Sequence, residues 1–242
     1  MTMNTIIRSV LGGIVVLLPL ATAQAADSGP YVTLGVGVSG VGDFSMQSPD
    51  AGAPLDKPGT NVVAGLAVGY RFSPAFRADI GVSYRPESDF NTTDSQLGLN
   101  YATNLKSLRG FVTGYVDVAG LMEPGALGAF SPFVGFGVGL ARNSLKDITV
   151  TDLTAPTNAQ QFTISGEDHT NLAWKAVAGV GYALTSAITI EGAFQYVDAG
   201  TVKSGATLNA TGTGAELGSV PFNAFQGNLR TYEATIGLRY QF

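Results

Sequence analysis

The chain ends in Asn228-Leu-Arg-Thr-Tyr-Glu-Ala-Thr-Ile-Gly-Leu-Arg-Tyr-Gln-Phe242, a stretch in which apolar and polar side chains alternate. The apolar set is Tyr232, Ala234, Ile236, Leu238, Tyr240 and Phe242. Successive side chains of a β-strand point to opposite faces, so the stretch is predicted to be a strand with one apolar and one polar face. Its length suffices to cross a bilayer when the strand is tilted. Aromatic residues lie at both ends of the apolar face, which is typical of membrane interfaces. Taken alone, the stretch also fits a half-exposed strand of a soluble sandwich.

The same alternation recurs in seven earlier segments, at residues 31–41, 62–72, 76–85, 107–118, 133–141, 172–184 and 188–196. The connectors between them alternate in length: 43–61, 86–106, 142–171 and 197–228 are long, and 73–75, 119–132 and 185–187 are shorter. An even number of strands with short turns on one side and long loops on the other is the outer-membrane pattern. We therefore predict an all-β fold, an eight-stranded antiparallel up-and-down transmembrane barrel with both termini in the periplasm.

The first 25 residues have the features of a secretory signal peptide. Arg8 is followed by an apolar run at residues 10–20, which is too short for a membrane-spanning helix, and Ala23-Gln24-Ala25 matches a cleavage site. We predict that residues 1–25 are removed during export to the periplasm and that residues 26–242 form one outer-membrane barrel domain. A chain that is 45% hydrophobic, 13% charged and contains 32 glycines fits apolar residues dispersed along alternating strands.

Several kinds of chemistry are excluded or disfavoured by residue content. The chain has no cysteine, so disulfide and thiolate sites are excluded, and its single histidine, His169, rules out a multi-histidine metal site. The net charge of −5 gives no sign of nucleic-acid binding. Residues 35–40 match G-x-G-x-x-G, but they lie within a predicted strand and no helical pattern follows, so we reject a dinucleotide site. We predict no cofactor, no metal and no catalytic residue.

Charged residues separate by face. The lipid-facing set of the predicted strands contains no charge except Arg230, which lies at a loop end. An Arg or Lys at the bilayer midplane costs about 2–4 kcal/mol, so this separation indicates that the faces are assigned correctly. Ten charges are predicted to face the lumen: Arg71, Arg77, Asp79, Arg85, Arg109, Asp117, Lys175, Glu191, Glu233 and Arg239.

These inward charges predict an ion-pair network. The interior of eight strands is only just wide enough for side chains, and buried charges must be paired or hydrated. We expect Arg239 with Glu233, Lys175 with Glu191, and Arg77 with Asp79 as members of one network. Such a network plugs the lumen. The alternative is a narrow charged path for small solutes, which the inward glycines favour because they leave space beside the network.

The four long loops are acidic, with twelve acidic and five basic residues. A well-solvated surface explains this bias, and binding of divalent cations or basic partners is the alternative. His169 lies in one of these loops. Barrel enzymes that deacylate lipid A have a serine directly after the histidine, whereas here the next residue is Thr170. Trp174, the one tryptophan, is predicted to anchor the outer end of its strand at the membrane interface.

Three internal motifs and the C-terminus carry a resemblance. They are Ser131-Pro-Phe-Val-Gly-Phe-Gly-Val-Gly139, Tyr115-Val-Asp-Val118, Gly192-Ala-Phe-Gln-Tyr196 and the terminal Phe242. With them, the chain resembles the small outer-membrane β-barrel family that includes the barrel of outer membrane protein A and the opacity-type surface proteins. Phe133 stands where tyrosine is commoner in that family. The resemblance implies that Tyr240 and Phe242 form the assembly signal read by the barrel assembly machinery.

These observations give two hypotheses for function. The first is a structural or surface protein whose long extracellular loops mediate surface interactions above a mostly plugged lumen. The alternative is a narrow porin-like channel for small solutes, and an enzyme is not expected. The expected partners are outer-membrane lipids, the barrel assembly machinery and an unidentified extracellular ligand or host factor, with no nucleic acid. The protein is expected to be a monomer in the bacterial outer membrane.

Overall fold

The computed structural model describes residues 28–242, apart from residues 43, 50–54, 57–58, 95–97, 155–160 and 213–214. The predicted signal peptide, residues 1–25, lies outside the described residues. The strands are β1 (Gly29–Val41), β2 (Ser45–Met46), β3 (Leu55–Asp56), β4 (Asn61–Arg71), β5 (Phe76–Asp94), β6 (Leu99–Asp117), β7 (Phe130–Leu145), β8 (Ile148–Asp152), β9 (Gln161–Ile164), β10 (Asp168–Ala183), β11 (Ile188–Lys203), β12 (Thr207–Gly212), β13 (Ala215–Pro221) and β14 (Gln226–Gln241). A short 3-10 helix, Val118–Leu121, lies between β6 and β7.

Eight of these strands close a barrel in the order β1, β4, β5, β6, β7, β10, β11 and β14. Each is antiparallel to both neighbours, and β1 pairs with β14 from Tyr31 opposite Gln241 to Val41 opposite Thr231. This pairing leaves no free sheet edge in the barrel, as a bilayer requires. The eight-stranded antiparallel barrel predicted from the alternation is confirmed.

The two faces of the barrel are the reverse of those in a soluble protein. Apolar side chains on the outer face are exposed, with Ile80 at 64% and Val112 at 56%, whereas the inward Arg109 is 1% exposed. Trp174 also lies on the outer face, where its ring contacts Phe136 and Tyr196 with centroids 6.0 and 5.2 Å away. No helix among the described residues is long and apolar enough to span a membrane.

Several strands are longer than the sequence predicted, so the outer loops contain more regular structure. Most of the predicted loop at residues 86–106 is strand, because β5 runs to Asp94 and β6 begins at Leu99, with a register shift between Arg85 and Ser88. In the next loop, β8 and β9 form a hairpin, in which β8 also pairs with β6 and β9 also pairs with β12. Strand β12 pairs in turn with β13. The outer ends of the barrel therefore continue into a sheet.

An apolar core forms on the loop side of the barrel, and we call it the outer cap. Every outer loop with its flanking strand ends contributes to it, and Met46, Leu105, Ile148 and Phe225 are each fully buried. Its members are Phe44, Met46, Leu55, Phe90, Tyr101, Leu105, Leu145, Ile148, Val150, Ile164, Val202, Phe225 and Leu229. The cap covers the outer end of the lumen with packed apolar side chains.

Candidate functional site

A chain of ion pairs crosses the periplasmic end of the lumen, and we call it the lower cluster. Asp117 pairs with Arg71 and Arg77 at 3.2 Å each, through different carboxylate oxygens. Glu191 Oε1 lies 3.2 Å from Arg77 Nη2 and 3.4 Å from Arg239 Nε. The five residues come from β4, β5, β6, β11 and β14, so the cluster ties opposite walls of the barrel together.

Aromatic rings surround the central arginine of this cluster. The Arg77 guanidinium carbon lies 4.3 Å from the ring centroid of Tyr115, 4.7 Å from that of Phe133 and 5.8 Å from that of Tyr31. A guanidinium over an aromatic face gains cation–π attraction, which is stronger when water is excluded. Arg77 is thereby fixed in the bore, and its side chain obstructs the periplasmic end of the lumen.

A second cluster, the upper cluster, lies toward the outer end of the lumen. Arg109 Nη1 lies 2.6 Å from Glu233 Oε1, and the Arg109 Nε donates to Ser107 Oγ at 3.2 Å. The hydroxyls of Ser39 and Thr231 donate to the same Glu233 oxygen at 3.1 and 3.0 Å. The three hydrogen bonds to this one oxygen replace the hydration that the carboxylate loses when it is buried. Arg85 lies at the same level, opposite Ser107.

Between the two clusters lies a cavity of about 130 Å³. Lys175 and Asp79 line it, together with Glu233 and the inward glycines Gly35 and Gly81. The Lys175 ammonium lies 5.2 Å from the ring centroid of Phe111, and Asp79 accepts a hydrogen bond from the Tyr31 hydroxyl at 3.3 Å. In the part of the chain that the structure describes, no ion pair joins either charge to another residue. The cavity has room for several water molecules.

The pairings differ from those expected from the sequence, although all ten predicted charges face the lumen. Arg239 pairs with Glu191 instead of Glu233. Six residues separate Arg239 from Glu233 on β14, which is about 20 Å along a strand, so the two lie at opposite ends of the lumen. Lys175 and Glu191 are also separated, because Lys175 lies opposite Val197, six residues from Glu191. Arg77 turns toward Asp117 and Glu191 instead of Asp79.

The outer surface carries exposed ion pairs. Lys146 pairs with Glu87, and Arg142 with Asp168, both at 2.8 Å. Asp168 begins β10 above the membrane-spanning part, and a hydrogen bond from the Ser144 hydroxyl lowers its pKa, with Arg142 adding to the effect. The pairs are solvent-exposed, so each contributes little to stability.

A shallow polar cleft lies on this surface. Its lining includes Asp89, Asn91, Asn104, Asp147 and Thr149. Among the described residues, no group of three or more His, Cys, Asp or Glu side chains is arranged to hold a metal ion. The cleft offers hydrogen-bond donors and acceptors, with Lys146 beside the two carboxylates.

The outer cap is the feature that sequence reasoning missed. The sequence predicts acidic, solvated loops, yet each loop contains apolar residues at alternating positions. Ile148 and Val150 in β8, and Phe162 and Ile164 in β9, show the period-two signal most clearly. Those short runs could have indicated a second packed layer above the membrane.

Comparison with known proteins agrees with this architecture. A family model described as "Outer membrane protein beta-barrel domain" matches residues 12–242. The chain is 26% identical over 210 residues to outer membrane protein PagN of Salmonella typhimurium, covering 78% of this chain and 83% of that protein. It is 24% identical to a putative adhesin of Rickettsia canadensis, over 76% and 79% of the two chains. Among solved structures, the outer membrane protein OprG of Pseudomonas aeruginosa superposes with a TM-score of 0.52 at 16% identity, covering 90% of this chain and 98% of that one.

Proposed function

The chain belongs to the outer membrane protein β-barrel domain family and lies in the outer membrane, and on that basis we propose that its extracellular loops carry its biological role. In this proposal the barrel is a membrane anchor with a mostly plugged lumen. The loops form a surface that binds an extracellular ligand or host factor.

The outer cap is the observation that carries this proposal. Loops that served only to keep the protein soluble would need no shared apolar core. Here each outer loop buries side chains in the shared cap, so the described strands of the loops are held in one arrangement. A surface ordered before binding loses less conformational entropy when a partner docks. The polar cleft with Asp89 and Asp147 lies on this surface.

Two further observations support the same proposal. The lower and upper clusters place arginine side chains across the bore, and the cap covers its outer end. One of the relatives is named as a putative adhesin, which is a surface-interaction role. We also propose that the protein is not an enzyme, since the family is described as an outer-membrane barrel domain and one relative is named as a putative adhesin.

The experiment is an adhesion assay. The parent is produced in a laboratory strain without adhesins, and cells are counted on immobilised extracellular-matrix proteins and on cultured epithelial cells. We expect binding above the empty-vector control. The double substitution Asp89→Asn with Asp147→Asn should weaken binding, because it alters the cleft and leaves the cap residues in place. The matched control is Glu123→Gln, an exposed periplasmic acid.

Binding equal to the empty vector on every surface, with folded protein present in the outer membrane, would refute the loop proposal. The second candidate is then a narrow channel. The cavity of about 130 Å³ favours it, and so does Lys175, which has no ion pair among the described residues, because together they give the lumen a charged section with room for water. Single-channel recording on refolded parent measures it directly, and we expect rare, small openings.

The closed barrel and its C-terminal strand also suggest how the protein interacts with other proteins in the membrane. We propose that the protein is a monomer, because the eight strands close on themselves and leave no barrel edge for another chain. We propose further that Tyr240 and Phe242 are recognised by the barrel assembly machinery. Chemical cross-linking in native membranes tests the first, and a persistent dimer band would contradict it.

A further inference from the structure

The side chain of Arg85 is buried in the lumen, and no described residue accepts a hydrogen bond from it. The residue is 0% exposed, and its Nε, Nη1 and Nη2 atoms have no acceptor in the described part of the chain. Arginine stays protonated in proteins, so this is a buried positive charge with up to five N–H donors. Such a group is strongly destabilising unless an anion or water molecules compensate it.

A second guanidinium lies beside it. Ser107 is directly opposite Arg85 across β5 and β6, and the Ser107 hydroxyl accepts from Arg109 Nε at 3.2 Å. The Nη2 atom of Arg109 also lacks an acceptor among the described residues. Four guanidinium nitrogen atoms of the two arginines therefore lack a hydrogen-bond acceptor among the described residues, and all four lie at about the same depth in the lumen.

At this level of the lumen the described carboxylates do not balance the positive charge, and the fourth inward carboxylate, Asp79, lines the cavity with Lys175. Glu233 is the described carboxylate in electrostatic reach of Arg85, and its Oε1 already accepts from Arg109, Ser39 and Thr231. Asp117 and Glu191 are held by the three arginines of the lower cluster. Two guanidinium groups thus share one carboxylate.

The surroundings strengthen attraction for an anion. Leu105, a residue of the outer cap, lies two positions beyond Ser107 on β6 and is fully buried. Electrostatic attraction is larger in an environment from which water is excluded than at the surface. We propose that Arg85 and Arg109 bind a small monovalent inorganic anion of the size of chloride, which completes the upper cluster. This site is independent of any role of the loops.

The test compares chloride with gluconate, a much larger organic anion. Parent and Arg85→Met are refolded into lipid vesicles in mixtures of the two sodium salts at constant ionic strength. Binding to the folded state alone stabilises it in proportion to the logarithm of ligand concentration. Above the Kd, each tenfold increase in chloride should raise the parent's urea midpoint by roughly 0.5–1.4 M.

Arg85→Met should remove the chloride dependence. In pure gluconate it should also unfold at a higher urea concentration than the parent, because the uncompensated charge is gone. The control Arg142→Met removes an exposed arginine and should keep the parent's dependence. Equal parent midpoints in both salts would mean that only water compensates Arg85 and would overturn the proposal. Dependence retained in Arg85→Met would overturn the assignment to this site.

A second measurement does not depend on how well the variant folds. Folded parent in micelles should broaden the chlorine-35 resonance of free chloride more than boiled, unfolded parent does. Bromide should compete and reduce that excess. No excess broadening by the folded protein would also overturn the proposal.

Discussion

Val112 of β6 lies directly opposite Val138 of β7, and both side chains point out of the barrel, 56% and 52% exposed. Neither residue is near a strand end. The two residues therefore lie at the same depth, within the apolar band that faces lipid.

Arginine at either position of this pair should destabilise the barrel. We expect Val112→Arg and Val138→Arg each to cost about 2–4 kcal/mol, measured by urea titration in lipid vesicles. Leu108→Arg, four residues nearer the outer side than Val112 and opposite Arg142, should cost about 0–1 kcal/mol because the penalty falls toward the interface. Thr113→Arg points into the lumen and should avoid the lipid penalty, although it overfills a buried site. Neutral results for both valine variants would mean that the faces are inverted.

Removing the charge of Glu233 should affect both stability and conductance. In Glu233→Gln the buried Arg109 loses its counter-charge, and we expect a loss of about 3 kcal/mol or more. Planar-bilayer recording should show more frequent openings than in the parent, because the freed arginine no longer spans the bore. The control is Glu87→Gln, which breaks the exposed pair with Lys146 and should cost about 0–1 kcal/mol. Steady, large conductance in the parent, unchanged by trimming the loops, would instead favour the channel hypothesis.

Alanine should lower the stability of the barrel at one glycine of the β6–β7 pair and leave it nearly unchanged at another. A Cβ at Gly139 would overlap the backbone oxygen of Gly110 and come within 2.8 Å of the Phe111 Cα, so a strand must shift. We expect Gly139→Ala to cost about 1–3 kcal/mol. A Cβ at Gly114 meets no atom within 4 Å, so Gly114→Ala should be neutral or slightly stabilising. Equal urea midpoints for the two variants would contradict this account of strand contact.

Deleting Phe242 should reduce barrel assembly in cells. Its backbone N–H donates to Pro30 O at 3.0 Å, and its ring contacts that of Tyr240 at 5.0 Å, so it also closes the seam between β1 and β14. The measurement is the unboiled, folded band on gels of outer-membrane extracts, alongside refolding of purified protein into vesicles. A loss in cells with normal refolding in vesicles indicates recognition by the assembly machinery. Phe72→Ala, an exposed aromatic outside the C-terminus, is the control and should assemble normally. Equal folded bands in deletion and parent would refute the role.

Export should remove the first 25 residues. N-terminal sequencing of the protein extracted from outer membranes should begin at Ala26, because Ala23-Gln24-Ala25 matches the cleavage site. Substituting Ala25 by a bulky residue should slow processing and leave a longer precursor. Protein from the membrane that still begins at Met1 would show that the segment is retained.

The fold could be predicted because a membrane barrel imposes a strict period of two. Positions such as Ile80 and Val112 must face lipid, so the alternation identifies both the strand and its outer face. The strand ends were less predictable. Above the membrane, the outward side of β5 and β6 is wetted, and the polar residues around Phe90 and Tyr101 therefore resemble a loop in sequence. The inward apolar side chains of these segments pack against residues of other loops, which become neighbours only in the folded protein.

The inward charges could be predicted as a set but not as pairs. Alternation gives the face of a residue, whereas its depth in the bore depends on register across several strands. Arg109 and Glu233 are 124 residues apart in the chain, yet register brings them to one level. Glu233 and Arg239 are close in sequence and lie at opposite ends of the lumen. The surplus charge at Arg85 likewise becomes evident only when Asp117, Glu191 and Glu233 have been assigned to their arginines.

The outer cap has a consequence for immune recognition. Because the loops bury residues such as Met46, Ile148 and Phe225 against one another, the shape that an antibody meets is assembled from distant parts of the chain. Sera raised against the native protein should therefore lose reactivity when the antigen is boiled, and short loop peptides should compete poorly. A vaccine antigen based on this protein would need the whole folded barrel to display its outer epitopes.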